Sequence, residues 1–412
     1  MKRIGIIGGG ASGLVAAIEA ARTDCNAQVF ILEQKENIGK KILATGNGRC
    51  NLTNRKMEAA CYRSENMDFV AGILEEFGYE DTLKFFESLG LLVKFRGDYV
   101  YPRSDQASTV LELLRLELLR LGIQIYTGNQ TLELSQTAKG FRIRTQEQTF
   151  RADKVILACG GKASHNLGSD GSGYGLAKSM GHTMLPVVPA LVQLKVHKSP
   201  FAKAAGVRVD ARVVALQGDT PLAEDLGEVQ ITAYGISGIP VFQISRYIAM
   251  GLYKKQKMSV MIDFVPERTE EELLSLLIER ISGREDMTTG DFLTGVFHQK
   301  LIPRLLEQAQ IRMNTRVGEV TRRKWQHFSY LCKRMILPIE DTNGFENAQV
   351  CAGGIRTEEV NPLTLESRYV NGLYIVGELL DVDGICGGYN LQWAWATGYL
   401  AGRDAAGKPS GR

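Results

Sequence analysis

Near the N-terminus one short stretch limits what this chain can become more than any other. Residues 3–8 read Arg-Ile-Gly-Ile-Ile-Gly, an apolar run of strand character. Gly8-Gly9-Gly10-Ala11-Ser12-Gly13 follows, and Leu14 to Arg22 is Ala-rich and helical in pattern. A second apolar run, Gln28-Val29-Phe30-Ile31-Leu32, ends in Glu33-Gln34, with Glu33 twenty residues after Gly13. Strand, G-x-G-x-x-G turn, helix, strand and acid at this spacing predict a dinucleotide-binding βαβ unit. Gly8 permits the tight turn, Gly10 lets the backbone approach a pyrophosphate, and Gly13 lets helix and strand pack closely. The amides of Ala11, Ser12 and Gly13 open a helix whose N-terminus favours phosphate. Glu33 offers acceptors to a ribose diol.

The 412 residues suffice for two or three domains with real cores. With 49 basic and 46 acidic residues the net charge is +3, too small to imply a nucleic-acid or membrane surface. The first apolar run breaks into glycines after a few residues, so it predicts a buried strand and not a signal peptide. The seven cysteines are scattered with no C-x-x-C, which fits a reducing cytoplasm and argues against a dithiol reductase. No metal site is expected, and the five histidines lie in no motif that suggests a base.

Further along, Gly39 to Asn54 is a loop rich in glycine, asparagine and base, a second cradle for phosphate or a flavin edge through its amides, Lys41 and Arg49. Residues 67–92 read as helical, 91–101 as a hairpin turning at Gly97-Asp98, and 107–121 as an amphipathic helix. Strand-like runs at 123–126, 131–134 and 141–144 suggest one small sheet. Lys154 to Gly161 predicts a buried parallel strand running into a glycine turn, where Ala158, Gly160 and Gly161 allow a backbone to lie against a planar ligand. Residues 168–175 hold many glycines but have no strand directly before them, so they are not a second dinucleotide motif. A helix is expected over Leu176–Met180.

Four segments emerge: 1–190, a β-barrel-like stretch 191–265 completed by 336–350, a helical insert 266–335, and a return to the first domain over 351–412. In the last, Leu373–Val376 is a buried strand ended by Gly377-Glu378. A helix begins near Asn390 with its N-terminus toward the ligand, where its dipole would favour negative charge on a reduced flavin.

Together Thr45-Gly46-Asn47-Gly48-Arg49-Cys50-Asn51, the Val155–Gly161 turn and Gly377–Gln392 resemble the BaiN-like flavoproteins, also called the aminoacetone oxidase family, which include YhiN-type bacterial proteins. The resemblance covers nearly the whole chain. It implies FAD in a discontinuous Rossmann-type α/β domain carrying an inserted β-barrel-like domain and a helical cap. It also implies that Gly8–Gly13 and Glu33 hold the ADP half, with Lys41 and Arg49–Asn51 along the pyrophosphate and flavin. Thr131 or Leu132 falls at the adenine, and Gly377, Glu378, Asp381 and Asn390, Leu391 and Gln392 at the ribityl chain and ring. Gln34, Thr45, Gly48, Cys50, Ala158, Gly160, Gly161, Gly388 and Tyr389 complete the expected cofactor set. Many relatives carry a Thr-His pair before the Gly-Ile-Ser-Gly of the barrel; here the residues are Thr232-Ala233-Tyr234. A mechanism that uses that histidine does not transfer, and Tyr234 takes its place as the polar group of interest.

Candidates for substrate contact are Arg49, Tyr101, Arg103, Tyr234 and Ser237, polar groups in loops beside the expected flavin face. The leading expectation is an FAD-dependent oxidoreductase that reduces an activated C=C bond in a small-molecule enone of steroid or bile-acid type. NADH or NADPH would be a transient reductant. The alternatives are oxidation of a small amine by O₂ with peroxide release, and a non-catalytic flavin module that senses redox state or binds RNA.

Overall fold

The computed structural model describes residues 1–407. They form two compact units: Met1–Val187 with the chain from Gln349 onward, and Val188–Ala348. The expected breaks after 190 and 350 compare with breaks after Val187 and Ala348.

In the first unit β1 (Arg3–Ile7), α1 (Ala11–Thr23) and β2 (Gln28–Leu32) follow one another as the opening motif requires. β1 is central in a five-stranded sheet. It pairs in parallel with β2 on one side and with Lys154–Leu157 on the other. Leu373–Ile375 extends the sheet beyond Lys154–Leu157, and Gln124–Tyr126 extends it beyond β2, both in parallel. Ile4, Ile6, Val155 and Ile156 are buried, as strands covered on both faces must be.

Gln124–Tyr126 therefore belongs to the main sheet and not to the small one expected from the three runs. The small antiparallel sheet is Thr131–Thr137, Gly140–Thr145 and Thr149–Ala152. Short alternating runs carry no signal for partner choice, which long-range pairing decides. The helix read over 67–92 is two helices, Met67–Glu76 and Tyr79–Ser88. They separate at Phe77-Gly78, where the Gly78 amide donates to Asp81 Oδ2 at 3.1 Å. The helix expected over 176–180 runs from Ser172 to Ser179.

The C-terminal helix, Tyr389–Ala406, crosses α1 by small residues. A methyl at Gly398 would lie 2.3 Å from Ser12 O, and one at Gly402 would lie 2.3 Å from Ala16 O. Only glycine permits backbones this close.

The second unit is built on a closed barrel in which Leu194–Val196, Gly235–Ser237, Thr220–Ile231, Arg208–Gln217, Met258–Asp263 and Met335–Thr342 follow one another around the wall. Closure removes exposed edges. Helices Glu270–Ile281, Thr289–Leu293, Ile302–Gln308 and Arg322–Lys333 form the insert, around buried Phe292, Trp325 and Phe328. The last barrel strand ends at Thr342, short of the expected 350, and a separate short strand covers Val350–Ala352. One long helix, Ile239–Tyr253, lies within the stretch expected to be β-rich. Val241, Ile244 and Ile248 set its buried face at helical spacing. Its β-branched residues read as strand, whereas Pro240 sits in the first turn, where proline is tolerated.

Among the described residues no helix is long and apolar enough to cross a membrane. None of the seven cysteines, all among the described residues, is in a disulfide.

Candidate functional site: a dinucleotide cradle

The three glycines of the opening motif occupy three different environments. Gly8 has φ +111°, and a methyl on it would stand 2.3 Å from Ala158 O. A methyl on Gly13 would stand 2.0 Å from Gly8 O. A methyl on Gly10 would meet nothing within 4 Å. Gly8 and Gly13 thus serve the tight turn and the helix crossing, while open space lies before Gly10. No side chain caps α1 at Gly10, so its first amides, those of Ala11, Ser12 and Gly13, face that space with the positive end of the helix dipole.

Glu33 ends β2 beneath this turn. Its Oε2 accepts from Gly9 N at 2.8 Å and its Oε1 from Lys35 N at 2.8 Å. Burial pushes its carboxyl above the usual range, against those two hydrogen bonds. The neighbouring Gln34 donates to Gly168 O at 2.7 Å, tying the 168–171 turn to the end of β2. A methyl on Gly160, at φ +71°, would lie 2.7 Å from Ser169 Oγ.

Two expected cofactor residues meet across 337 positions of sequence: Lys41 Nζ donates to Glu378 Oε2 at 2.6 Å. Glu378 Oε1 accepts from Cys351 N at 2.9 Å, and a methyl on Gly161 would come within 2.9 Å of that oxygen. Nothing in the sequence singled out Cys351 as a member of this group. Glu378→Ala leaves a partly buried ammonium and an amide without partners. Urea unfolding should show a loss of about 2 kcal/mol, less than for a fully buried pair because both side chains keep some solvent.

Gly377 lies at the same end of the sheet, at φ +66°, where a methyl would stand 2.8 Å from Ser12 Oγ. Its amide donates to Thr397 Oγ1 at 3.0 Å and its carbonyl accepts from Trp393 Nε1 at 3.1 Å. Asp381 is buried and its Oδ2 accepts from Glu65 N at 3.0 Å. Gly388 caps the C-terminal helix at φ +96° with no side-chain cap, against the backbone of Thr53. Leu391 is half-buried, and Tyr389 is buried with its carbonyl accepting from Tyr62 OH at 2.9 Å.

Two residues expected at the ring have side chains turned to the fold. Asn390 clamps Gly384 through both its N–H and its C=O, each at 2.8 Å. Gln392 accepts from Thr53 Oγ1 and Thr82 Oγ1 at 2.7 Å each and donates to Phe77 O at 3.1 Å and Gly78 O at 3.0 Å. With four bonds its amide has no capacity left for a ligand.

The Thr45–Gly48 turn has left-handed backbone at Gly46, Asn47 and Gly48, and again at Cys50. Such strain collects where function fixes geometry. Thr45 Oγ1 donates to Ile42 O at 2.6 Å. Burial pushes the thiols of Cys50, Cys159 and Cys351 up to about 12, which keeps them protonated and unreactive at neutral pH. Two expected cofactor residues hold buried oxygens with no partner, Asn51 Oδ1 and Thr131 Oγ1. Unmatched buried groups in a well-packed fold ask for a ligand. Leu132, beside Thr131, is exposed.

Of the substrate-contact candidates, Arg49, Tyr101 and Arg103 lie in the first unit and Tyr234 and Ser237 in the second. Tyr101 adjoins the Thr45–Gly48 turn, since a methyl on Gly46 would lie 3.7 Å from its ring edge. Arg103 is exposed, and its amide donates to Leu92 O at 2.7 Å. In the second unit Asn343 Nδ2 reaches the half-exposed Tyr234 hydroxyl at 3.5 Å, and Ser237 is buried in the barrel wall. His182 serves structure: its ring joins Glu359 at 3.0 Å and Ser367 at 2.8 Å.

An open helix N-terminus at the end of a parallel sheet, an acid closing β2 and orphaned oxygens on Asn51 and Thr131 define a Rossmann-type dinucleotide-binding protein, and the cradle fits FAD. The chain belongs to the HI0933-like Rossmann-domain family, whose model matches residues 2–404. It is 65% identical over 409 residues to the 3-dehydro-bile acid Δ(4,6)-reductase of Clostridium scindens, covering 99% of this chain and 100% of that one. It is 29% identical to the ribosomal RNA dihydrouridine synthase of Escherichia coli, covering 97% and 96% of the two chains. The 3-ketosteroid Δ1-dehydrogenase of Sterolibacterium denitrificans shares its fold, with TM-score 0.51 at 11% identity over 98% of this chain and 100% of that one.

Proposed function

We propose that this chain is an FAD-dependent oxidoreductase that saturates a C=C bond conjugated to a carbonyl in a bile-acid-type 3-oxo steroid. The observation that carries the reading is the 65% identity, end to end, with a reductase of 3-dehydro-bile acids. The more distant ribosomal RNA dihydrouridine synthase points to the same class of chemistry, because dihydrouridine is uridine with a ring double bond saturated. A net charge of +3 gives little support to a nucleic-acid substrate here.

Bound at the cradle and reduced, FAD would supply a hydride. The amides at the start of α1 would hold its pyrophosphate, Glu33 its ribose, and the Thr131 hydroxyl its adenine end. Lys41 and Asn51 would line its flavin half. With no second dinucleotide unit in the sequence, NADH or NADPH would deliver electrons as a transient visitor, in the cytoplasm.

The purified protein should be yellow or become so with FAD. Under anaerobic conditions NADH or NADPH should bleach it, and a 3-oxo-4-ene steroid should restore the colour with formation of the saturated ketone. A protein that takes up no FAD sinks the reading. So does one that is bleached by amines and releases peroxide.

A further inference from the structure

In the first unit, the exposed guanidinium of Arg49 and the half-buried hydroxyl of Tyr101 make no hydrogen bond or ion pair among the described residues. Asp105 pairs with Lys94 and, at 2.9 Å, with Arg96. Arg96 lies over the Tyr101 ring, 5.4 Å from its centroid. The ring thus meets a tethered cation and, at its edge, the turn that leads into Arg49. The same turn touches Asn51, whose backbone N would be 3.0 Å from a methyl on Gly46.

Lys94 and Arg96 pair with the one carboxylate of Asp105, and Arg49 adds a third cation within electrostatic reach of it, so the cluster has a positive balance. Burial raises the Tyr101 phenol above its ordinary value, with Arg96 and Arg49 pulling the other way, so the hydroxyl remains a donor at neutral pH. Two unmatched donors beside surplus positive charge, next to the orphaned Asn51 oxygen, form a site for an oxygen that becomes negative.

Resting on the function proposed above, we infer that Arg49 and Tyr101 hold the substrate's ketone oxygen and stabilise the charge it gains during reduction. The hydride that bound, reduced FAD would supply would form a C–H bond at the β-carbon. The C=C pair moves to form a double bond between the α-carbon and the carbonyl carbon, and the carbonyl π pair moves to oxygen, giving an enolate. A proton from water then bonds to the α-carbon and the carbonyl re-forms, so one hydride and one proton have been added. The guanidinium and the phenol act on the enolate oxygen, as donors aimed at developing charge do in an oxyanion hole.

The test uses the FAD-loaded full chain with Arg49→Gln, Tyr101→Phe and Arg49→Lys. A steroid with a phenolic first ring mimics the enolate, and its analogue lacking that oxygen serves as the control. Wild type should bind the phenolic steroid with its ultraviolet spectrum shifted toward the phenolate. Arg49→Gln and Tyr101→Phe, each loaded with FAD to wild-type occupancy, should weaken that ligand tenfold or more and abolish the shift, leaving the control ligand unchanged. For the enone, kcat should fall about 10²–10³-fold with KM changed far less, and Arg49→Lys should recover part of it. Variants with wild-type kcat and phenolic-steroid affinity overturn the inference, and so do variants that lose both ligands equally. A wild type that binds FAD but reduces no enone overturns the function itself and the inference with it, which distinguishes the two failures.

Discussion

Gly13→Ala is expected to yield a chain that unfolds several degrees below wild type and purifies without FAD. The added methyl would sit 2.0 Å from Gly8 O and 3.2 Å from the Ala158 side chain. The first obstacle is backbone in a turn that itself abuts the 154–157 strand, so it cannot yield as a flexible side chain would. Either α1 moves off β1 or the turn opens, and α1 is also gripped from the far side by Gly398 against Ser12. Overpacking of this kind costs about 3 kcal/mol or more. Displacing the amides at the start of α1 removes the proposed pyrophosphate site as well. Thermal unfolding and the ratio of flavin to protein absorbance read both effects. Gly10→Ala is the control, because its methyl meets nothing within 4 Å. It should leave stability within about 0.5 kcal/mol of wild type while weakening FAD by intruding where the phosphates lie. Equal melting of Gly13→Ala and wild type would contradict the account of the turn.

The second large effect is expected from Gln392→Leu. Its amide joins the C-terminal helix to the Thr53 segment and to the junction at Phe77-Gly78. Thr53 and Thr82 are fully buried, so both hydroxyls lose their acceptor with no water to replace it, and two carbonyls lose a donor. At about 1–3 kcal/mol for each stranded group, partly relieved by relaxation, the loss in chemical denaturation should be about 3–5 kcal/mol. Protein that remains folded in the cold should keep a normal flavin spectrum, because the side chain has no free bond to give a ring. Unchanged stability together with a shifted flavin spectrum would return Gln392 to the cofactor.

The opening motif was legible because its physics is local. A turn that needs Gly8 and Gly13 and an acid closing the next strand are all fixed by spacing within Met1–Gln34. The helices of the insert were legible for a related reason, since their apolar periodicity shows without knowledge of what they pack against. Ile239–Tyr253 was not legible: Val, Ile and aromatic residues suit a strand as well as a buried helix face, and burial on the barrel chose the helix. Nor could alternation alone assign Gln124–Tyr126 to the main sheet.

What the sequence determined by itself, then, is the chemistry of the cradle: a βαβ unit with an open helix N-terminus and an acid, set for a dinucleotide. Only the tertiary structure decided which distant groups act together. It joined Lys41 to Glu378, turned Gln392 into the fold and Asn51 Oδ1 toward no partner, and set Arg96 over Tyr101 beside the turn that carries Arg49. Local spacing encodes backbone conformation, whereas the pairing and desolvation of side chains depend on contacts across hundreds of residues.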